Sequence, residues 1–392
     1  MKEVIMRNIL LFIFTLSFGG SLNVRSIGSY DTPGLAYGVY LFSSYAYVAD
    51  GALRVIDVSD PRNPHEVGSY ETPGEAYKVY VSFPYAYVAD RDSGLRVIDV
   101  SNPTNPQEVG YYDTPGEASD VYVSSSYAYV ADGYAGLRVI DISNPTNPQE
   151  VGYYDTPGGA CGVYVCSSHA YVADFGGGLR VIDISNPTNP REVGSHNTPD
   201  YAWDVYISFP HAYVAAGRSG LRVIDISDPT NPREVDSYDT PGEAHEVYVS
   251  SPSAYVADYS AGLRVIDVSN PRNLHEVGYY ETPGYACGVY VSSYAYVAES
   301  GSGLGIYQFY GPGIEDNQKR ETGKVDLRIV ANPIKDKTLL IKNPQKAKKI
   351  SLYNSLGKKV KDLRLKEGDN SIPVKELPSG IYYLQGEKAI IP

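Results

Sequence analysis

Three nearby positions recur seven times along the chain and carry side chains that could do chemistry. The first reads Leu35, Glu75, Glu117, Gly159, Tyr201, Glu243 and Tyr285. Two residues on, the series is Tyr37, Tyr77, Ser119, Cys161, Trp203, His245 and Cys287. The next residues are Gly38, Lys78, Asp120, Gly162, Asp204, Glu246 and Gly288. Carboxylates mixed with Tyr, Trp and His suit a sugar, through stacking and hydrogen bonding, or a basic peptide. The candidate ligand-binding residues are therefore Glu75, Tyr77, Glu117, Asp120, Tyr201, Trp203, Asp204, Glu243, His245 and Glu246. The variants concentrate in copies 5 and 6, where Tyr201 and Trp203 would stack and Asp204, Glu243 and Glu246 would accept. Each also has a plainer reading: Trp203 as packing between copies 4 and 5, the acids as a solvated rim, His245 as an ordinary rim residue.

Catalytic and metal chemistry find less support. The chain has no Gly-x-Ser-x-Gly, His-Glu-x-x-His, Cys-x-x-Cys or phosphate loop, so no catalytic residue, metal ligand or cofactor is assigned. Glu117 and Asp120 lie three apart, which on a regular strand points them to opposite faces. A hydrolase or lyase would need carboxylates from different copies. Asp90-Arg91-Asp92-Ser93-Gly94 resembles part of a calcium loop, but no other copy has the second Asp, and a turn fits better. The acids before Thr-Pro (Asp31, Glu71, Asp113, Asp155, Asp239, Glu281) are expected in Asx turns. Arg96 and its cognates are expected to pair with Asp99 or Glu108 across neighbouring strands.

What positions these residues is a repeat of 42 residues, clearest at Gly94-Leu95-Arg96-Val97-Ile98-Asp99-Val100-Ser101-Asn102-Pro103 and restarting at Gly136, Gly178, Gly220 and Gly262. A shortened copy holds Leu53–Asp57 and a decayed one Leu304–Tyr307. One unit reads as four short strands separated by Gly- and Pro-rich turns, with no helical periodicity. Four strands per unit of this length describe a β-propeller blade, packed only against its neighbours. The first three strands occur seven times. The fourth also occurs seven times, but shifted: Ser26–Tyr30 precedes every blade and no copy follows the seventh. The amino-terminal strand should therefore close the ring against Leu304–Phe309, removing the exposed edges. The candidate residues then share one face, at the channel mouth.

Leu-Arg-Val-Ile-Asp, preceded by Ala-Tyr-Val-Ala-Asp, resembles the LVIVD repeat of bacterial surface and exported proteins over residues 26–309. The resemblance implies a propeller and no defined activity. Farther on, Ala331-Asn332-Pro333, Ser351–Val360 and Leu377–Leu384 resemble the C-terminal sorting domain of the type IX (Por) secretion system. The ending is shorter than that family's final basic strand. A plain Ig-like stalk is the alternative.

Composition bounds the rest. The chain carries 38 Tyr, expected mostly as packing between repeats. From residue 325 onward, 14 Lys and Arg face 7 Asp and Glu, on a chain whose net charge is −13. The strongly acidic body repels nucleic acid. Cys161, Cys166 and Cys287 are expected as free, small core residues. Ile9–Phe18 behind Lys2 and Arg7 reads as a secretory signal, or else an uncleaved anchor, and no other segment could span a membrane.

The expected organisation is all-β: signal 1–21, seven-bladed propeller 22–313, linker 314–324 and a small Ig-like sandwich or sorting domain 325–392. The expected function is an exported, monomeric binding or scaffold protein, secreted or on the surface of a bacterium. Its partners would be a glycan or protein ligand and, through the tail, the secretion machinery. The alternative is a secreted carbohydrate-active enzyme working at the channel mouth.

Overall fold

Period-two alternation sets each blade between two neighbours. In blade 2, Tyr87, Ala89, Leu95 and Val97 face blade 3, whereas Ala86, Val88, Ile98 and Val100 face blade 1. Both faces of the third strand are thus covered, which explains its almost unbroken apolar run. The same core recurs between every pair of neighbours, including blades 7 and 1. Each fully buried Leu, Val or Ile stabilises by about 1.5–3 kcal/mol relative to exposure.

The computed structural model describes residues 20–311 in full and, by backbone alone, seven strands between 328 and 391. Seven four-stranded antiparallel sheets form the blades. Their inner strands are Gly38–Phe42, Lys78–Ser82, Asp120–Ser124, Gly162–Cys166, Asp204–Ser208, Glu246–Ser250 and Gly288–Val291. Val24–Tyr30 pairs with Leu304–Phe309 as the fourth strand of blade 7, closing the ring. It even carries the bulge, here between Ser26 and Gly28, that every other fourth strand shows. The closing segment reaches beyond the expected pairing: Ser21–Leu22 adds a fifth strand to blade 6, opposite Tyr280 and Tyr279.

Buried acids tie the loops to this frame. Asp90, Asp132 and Asp258 each accept from the threonine of the preceding Thr-Pro-Gly turn and from its glycine N–H. Asp90 is therefore a turn anchor. Arg96 meets Asp90 at 3.7 Å, Glu108 at 3.9 Å and Asp113 at 2.7 Å, but not Asp99, whose carboxylate instead accepts from the Ser101 N–H. The acids before Thr-Pro also depart from the expected Asx turns: Glu71, Asp113, Asp155 and Asp239 pair with Arg54, Arg96, Arg138 and Arg222. A guanidinium held almost out of water gains more from a second carboxylate than an exposed turn gains from a side-chain bond.

In the tail, Arg328–Ile329, Thr338–Asn343 and Gly368–Pro373 form one sheet, and Lys359–Leu365, Lys348–Asn354, Gly380–Leu384 and Glu387–Ile391 another. The signal and linker expectations lie outside the described residues. Among the described residues no helix is long and apolar enough to cross a membrane.

Candidate functional site

Below the mouth, the inner strands deliver two layers of side chains to the central channel. The deeper is a closed ring of seven tyrosines. Tyr40, Tyr80, Tyr122, Tyr164, Tyr206, Tyr248 and Tyr290 touch in sequence with centroids 4.7–5.0 Å apart. Each of these tyrosines touches its counterparts in the two neighbouring blades and packs against a core between blades, as expected. Burial pushes the Tyr122 and Tyr248 phenols up to about 12.

Two residues nearer the mouth lies the charged layer. Lys78 reaches Glu246 across the channel, and the two side chains are only 17% and 16% exposed. Asp120 accepts from the N–H groups of Val121 and Val163, both at 2.8 Å. Asp204 accepts from Val247 N–H at 3.0 Å. Each aspartate thereby satisfies an inner-strand amide of the next blade. Burial pushes Glu246 up to about 8 and Asp120 up to about 6, and raises Asp204, while Lys78 lowers all three. At the three remaining positions, Gly38, Gly162 and Gly288 let the neighbouring strands approach. A Cβ there would come within 2.9 Å of Lys78 Cδ, Asp204 Oδ1 and Glu246 Oε2, respectively.

Above this layer opens a cavity of about 600 Å³. Its rim continues into a run of rings. Tyr201 stacks on Phe175 at 3.9 Å, Phe175 meets Trp203 edge-on at 5.0 Å, and Trp203 stacks on His245 at 5.2 Å. Tyr259 then lies 4.7 Å from His245 and 4.3 Å from Tyr285. Across the mouth, the Arg91 guanidinium sits 4.1 Å over the Tyr77 ring. Burial lowers the pKa of His245 and favours its neutral form.

Three of these groups occupy unusual backbone. The hairpin residue that bonds the next blade is Gly51, Gly133 and Gly217 in blades 1, 3 and 5, all with positive φ. In blades 2, 4 and 6 it is Arg91 (φ 47°), Phe175 (φ 45°) and Tyr259 (φ 46°). The conformation is enforced by paired backbone bonds, such as Phe175 N–H to Ala202 carbonyl at 3.0 Å and its return at 2.9 Å. Left-handed backbone costs a bulky residue roughly 1–2 kcal/mol, a cost glycine escapes. Arg91 and Phe175 thereby line the cavity, whereas blade 7 has Ser300 (φ 33°) at the same position.

Of the residues singled out by sequence, Tyr77, Glu117, Asp120, Trp203, Asp204 and His245 line the cavity. Glu117 joins Asp120 because residues 117–119 precede the regular strand and leave its pleat. Glu246 sits on the floor beside Lys78. Tyr201 stands on the rim, 48% exposed. Glu243 turns to Arg218 at 2.8 Å, and Glu75 lies 3.5 Å from Arg91. Trp203 bridges Phe175 and His245 on the face. Cys161, Cys166 and Cys287 are free, but Cys161 and Cys287 are half-buried in the cavity wall rather than in the core. Sequence reasoning missed Lys78, Arg91, Phe175 and Tyr259. The signal for the last three was a bulky residue where alternate copies have glycine.

This is a seven-bladed β-propeller with an aromatic-rimmed cavity over a charged channel floor. The chain belongs to the LVIVD-repeat family, whose repeat matches residues 33–72, 73–114, 115–156, 157–198, 199–240, 241–282 and 283–306. The secretion system C-terminal sorting domain matches residues 329–389. That domain marks proteins exported by the type IX system to the cell surface or extracellular space of bacteria, which makes this a secreted or surface protein. No curated protein matches the chain. Among solved structures, the computationally designed Ika8 protein aligns with a TM-score of 0.56 and 9% identity, over 72% of this chain and 99% of that one. At that identity the likeness concerns fold alone.

Proposed function

We propose that the propeller is a binding module, which takes a glycan or protein segment into the cavity on its face, while the tail serves export and surface display. The observation that carries this is the placement of Arg91, Phe175 and Tyr259 around the mouth at the expense of backbone strain. Packing alone gives no reason for it, because glycine serves at the same point in blades 1, 3 and 5. The floor aspartates are held by backbone amides, which favours binding over hydrolysis. Glycan and peptide arrays probed with the full chain test the proposal, followed by titration of the best ligand. Trp203→Ala should weaken that ligand about tenfold, the scale of one lost aromatic contact. Unchanged affinity with a lowered Tm would return Trp203 to packing.

A further inference from the structure

The channel floor is short of positive charge. Its ionisable groups are three acids, Asp120, Asp204 and Glu246, and one base, Lys78. Lys78 is committed to Glu246. The bonds that Asp120 and Asp204 accept come from neutral backbone amides, which orient a carboxylate without neutralising it. Burial raises the titration of all three acids, and Lys78 offsets this only in part. The cavity stands directly above, with Tyr77 and Trp203 in its wall one residue nearer the mouth. Aromatic faces attract cations, and this rim already holds one, since Arg91 lies over Tyr77. At the lip, Asp92 opposes an anion, while Glu117 lies 3.6 Å from the Arg91 guanidinium and is paired with it. Among the described residues no group of three ligating side chains is placed for a metal ion.

We infer that the ligand of this cavity carries a primary alkylammonium, which passes the Tyr77 and Trp203 rings and sets its charge against Asp204 and Asp120. The inference rests on the binding reading above and names the chemistry recognised. A lysine side chain and a free peptide amino terminus both present this group. Lys78 occupies the same floor, so it competes with the incoming ammonium for the carboxylates.

The test is titration of the full chain with three probes. Nα-acetyl-lysine N-methylamide presents the side-chain ammonium, alanine N-methylamide the terminal one, and Nα,Nε-diacetyl-lysine N-methylamide neither. One of the first two should bind, and the stronger of them identifies the source. The diacetyl probe should bind at least tenfold more weakly. Asp204→Asn keeps an acceptor for Val247 N–H but loses the charge, and should weaken the ammonium probe about tenfold. Lys78→Met should do the reverse, strengthening binding several-fold and enlarging the rise in Tm that the probe produces. Damaged folding cannot mimic that gain. Equal binding of charged and acetylated probes, or no ammonium binding by either the parent or the Lys78→Met chain, would overturn the inference. If array glycans bind and depend on Trp203 while no ammonium probe does, the binding reading stands and this inference alone falls.

Discussion

Asp236 accepts the backbone N–H of Leu274 at 3.1 Å, between the outer strand of blade 5 and the turn of blade 6. Both residues break the repeat. Position 236 is glycine in the cognates Gly28, Gly68, Gly110, Gly152 and Gly194, and position 274 is proline in Pro64, Pro106, Pro148, Pro190 and Pro232. Proline has no N–H to give, so the acid and its donor make sense only together. Asp236→Gly and Leu274→Pro should each destabilise by about 1 kcal/mol, and the double variant by clearly less than their sum. A double-mutant cycle of thermal or denaturant melts measures the coupling, and simple additivity would contradict it.

Ring closure was legible because strands can be counted: seven outer strands, the first of them ahead of blade 1. The extra pairing of Ser21–Leu22 was not, since two residues carry no periodicity. The charged layer could be read as a series of letters but not as a place. Sequence spacing cannot show that Lys78 of blade 2 faces Glu246 of blade 6 across the channel. Phe175 and Tyr259 hid in a hairpin whose letters looked like loop variation; their meaning depends on a positive φ, which only the backbone reveals.

Closure also predicts unequal truncations. Removing residues 20–30 deletes the buried Val24 and exposes the edge of Leu304–Phe309, so Tm should fall far more than when residues 314–392 are removed. Melting curves of both truncations decide this. Equal Tm values would contradict a ring closed by the amino-terminal strand.

The buried acids fix the direction of pH dependence. Glu246 at about 8, Glu299 at about 7 and Asp120 and Asp258 at about 6 all lie above ordinary carboxyl values, because burial disfavours their charge. Unfolded carboxyls titrate near pH 4, so between there and about pH 8 the folded chain holds more protons and stability falls as pH rises. Asp57, Asp99 and Asp141 act oppositely: their bonds with Ser59, Ser101 and Ser143 hold them low. The stability they add is lost as pH drops below about 4. Tm should therefore peak in mildly acidic solution, and Glu246→Gln should flatten the decline between about pH 6 and 8. A Tm that rises steadily from pH 5 to 8 would contradict the assignment.

The central claim is that the fold bears backbone strain at Phe175 to furnish a binding cavity. Phe175→Gly tests it most directly, because the substitution relieves the left-handed residue while removing the ring that touches Tyr201 and Trp203. Relief of roughly 1–2 kcal/mol offsets the lost ring contacts, so Tm should hold or rise. Affinity for the array-selected ligand, measured by titration in the same preparation, should fall about tenfold, the worth of one aromatic contact. A Tm that drops while affinity is unchanged would show that Phe175 packs the propeller and does not serve a ligand.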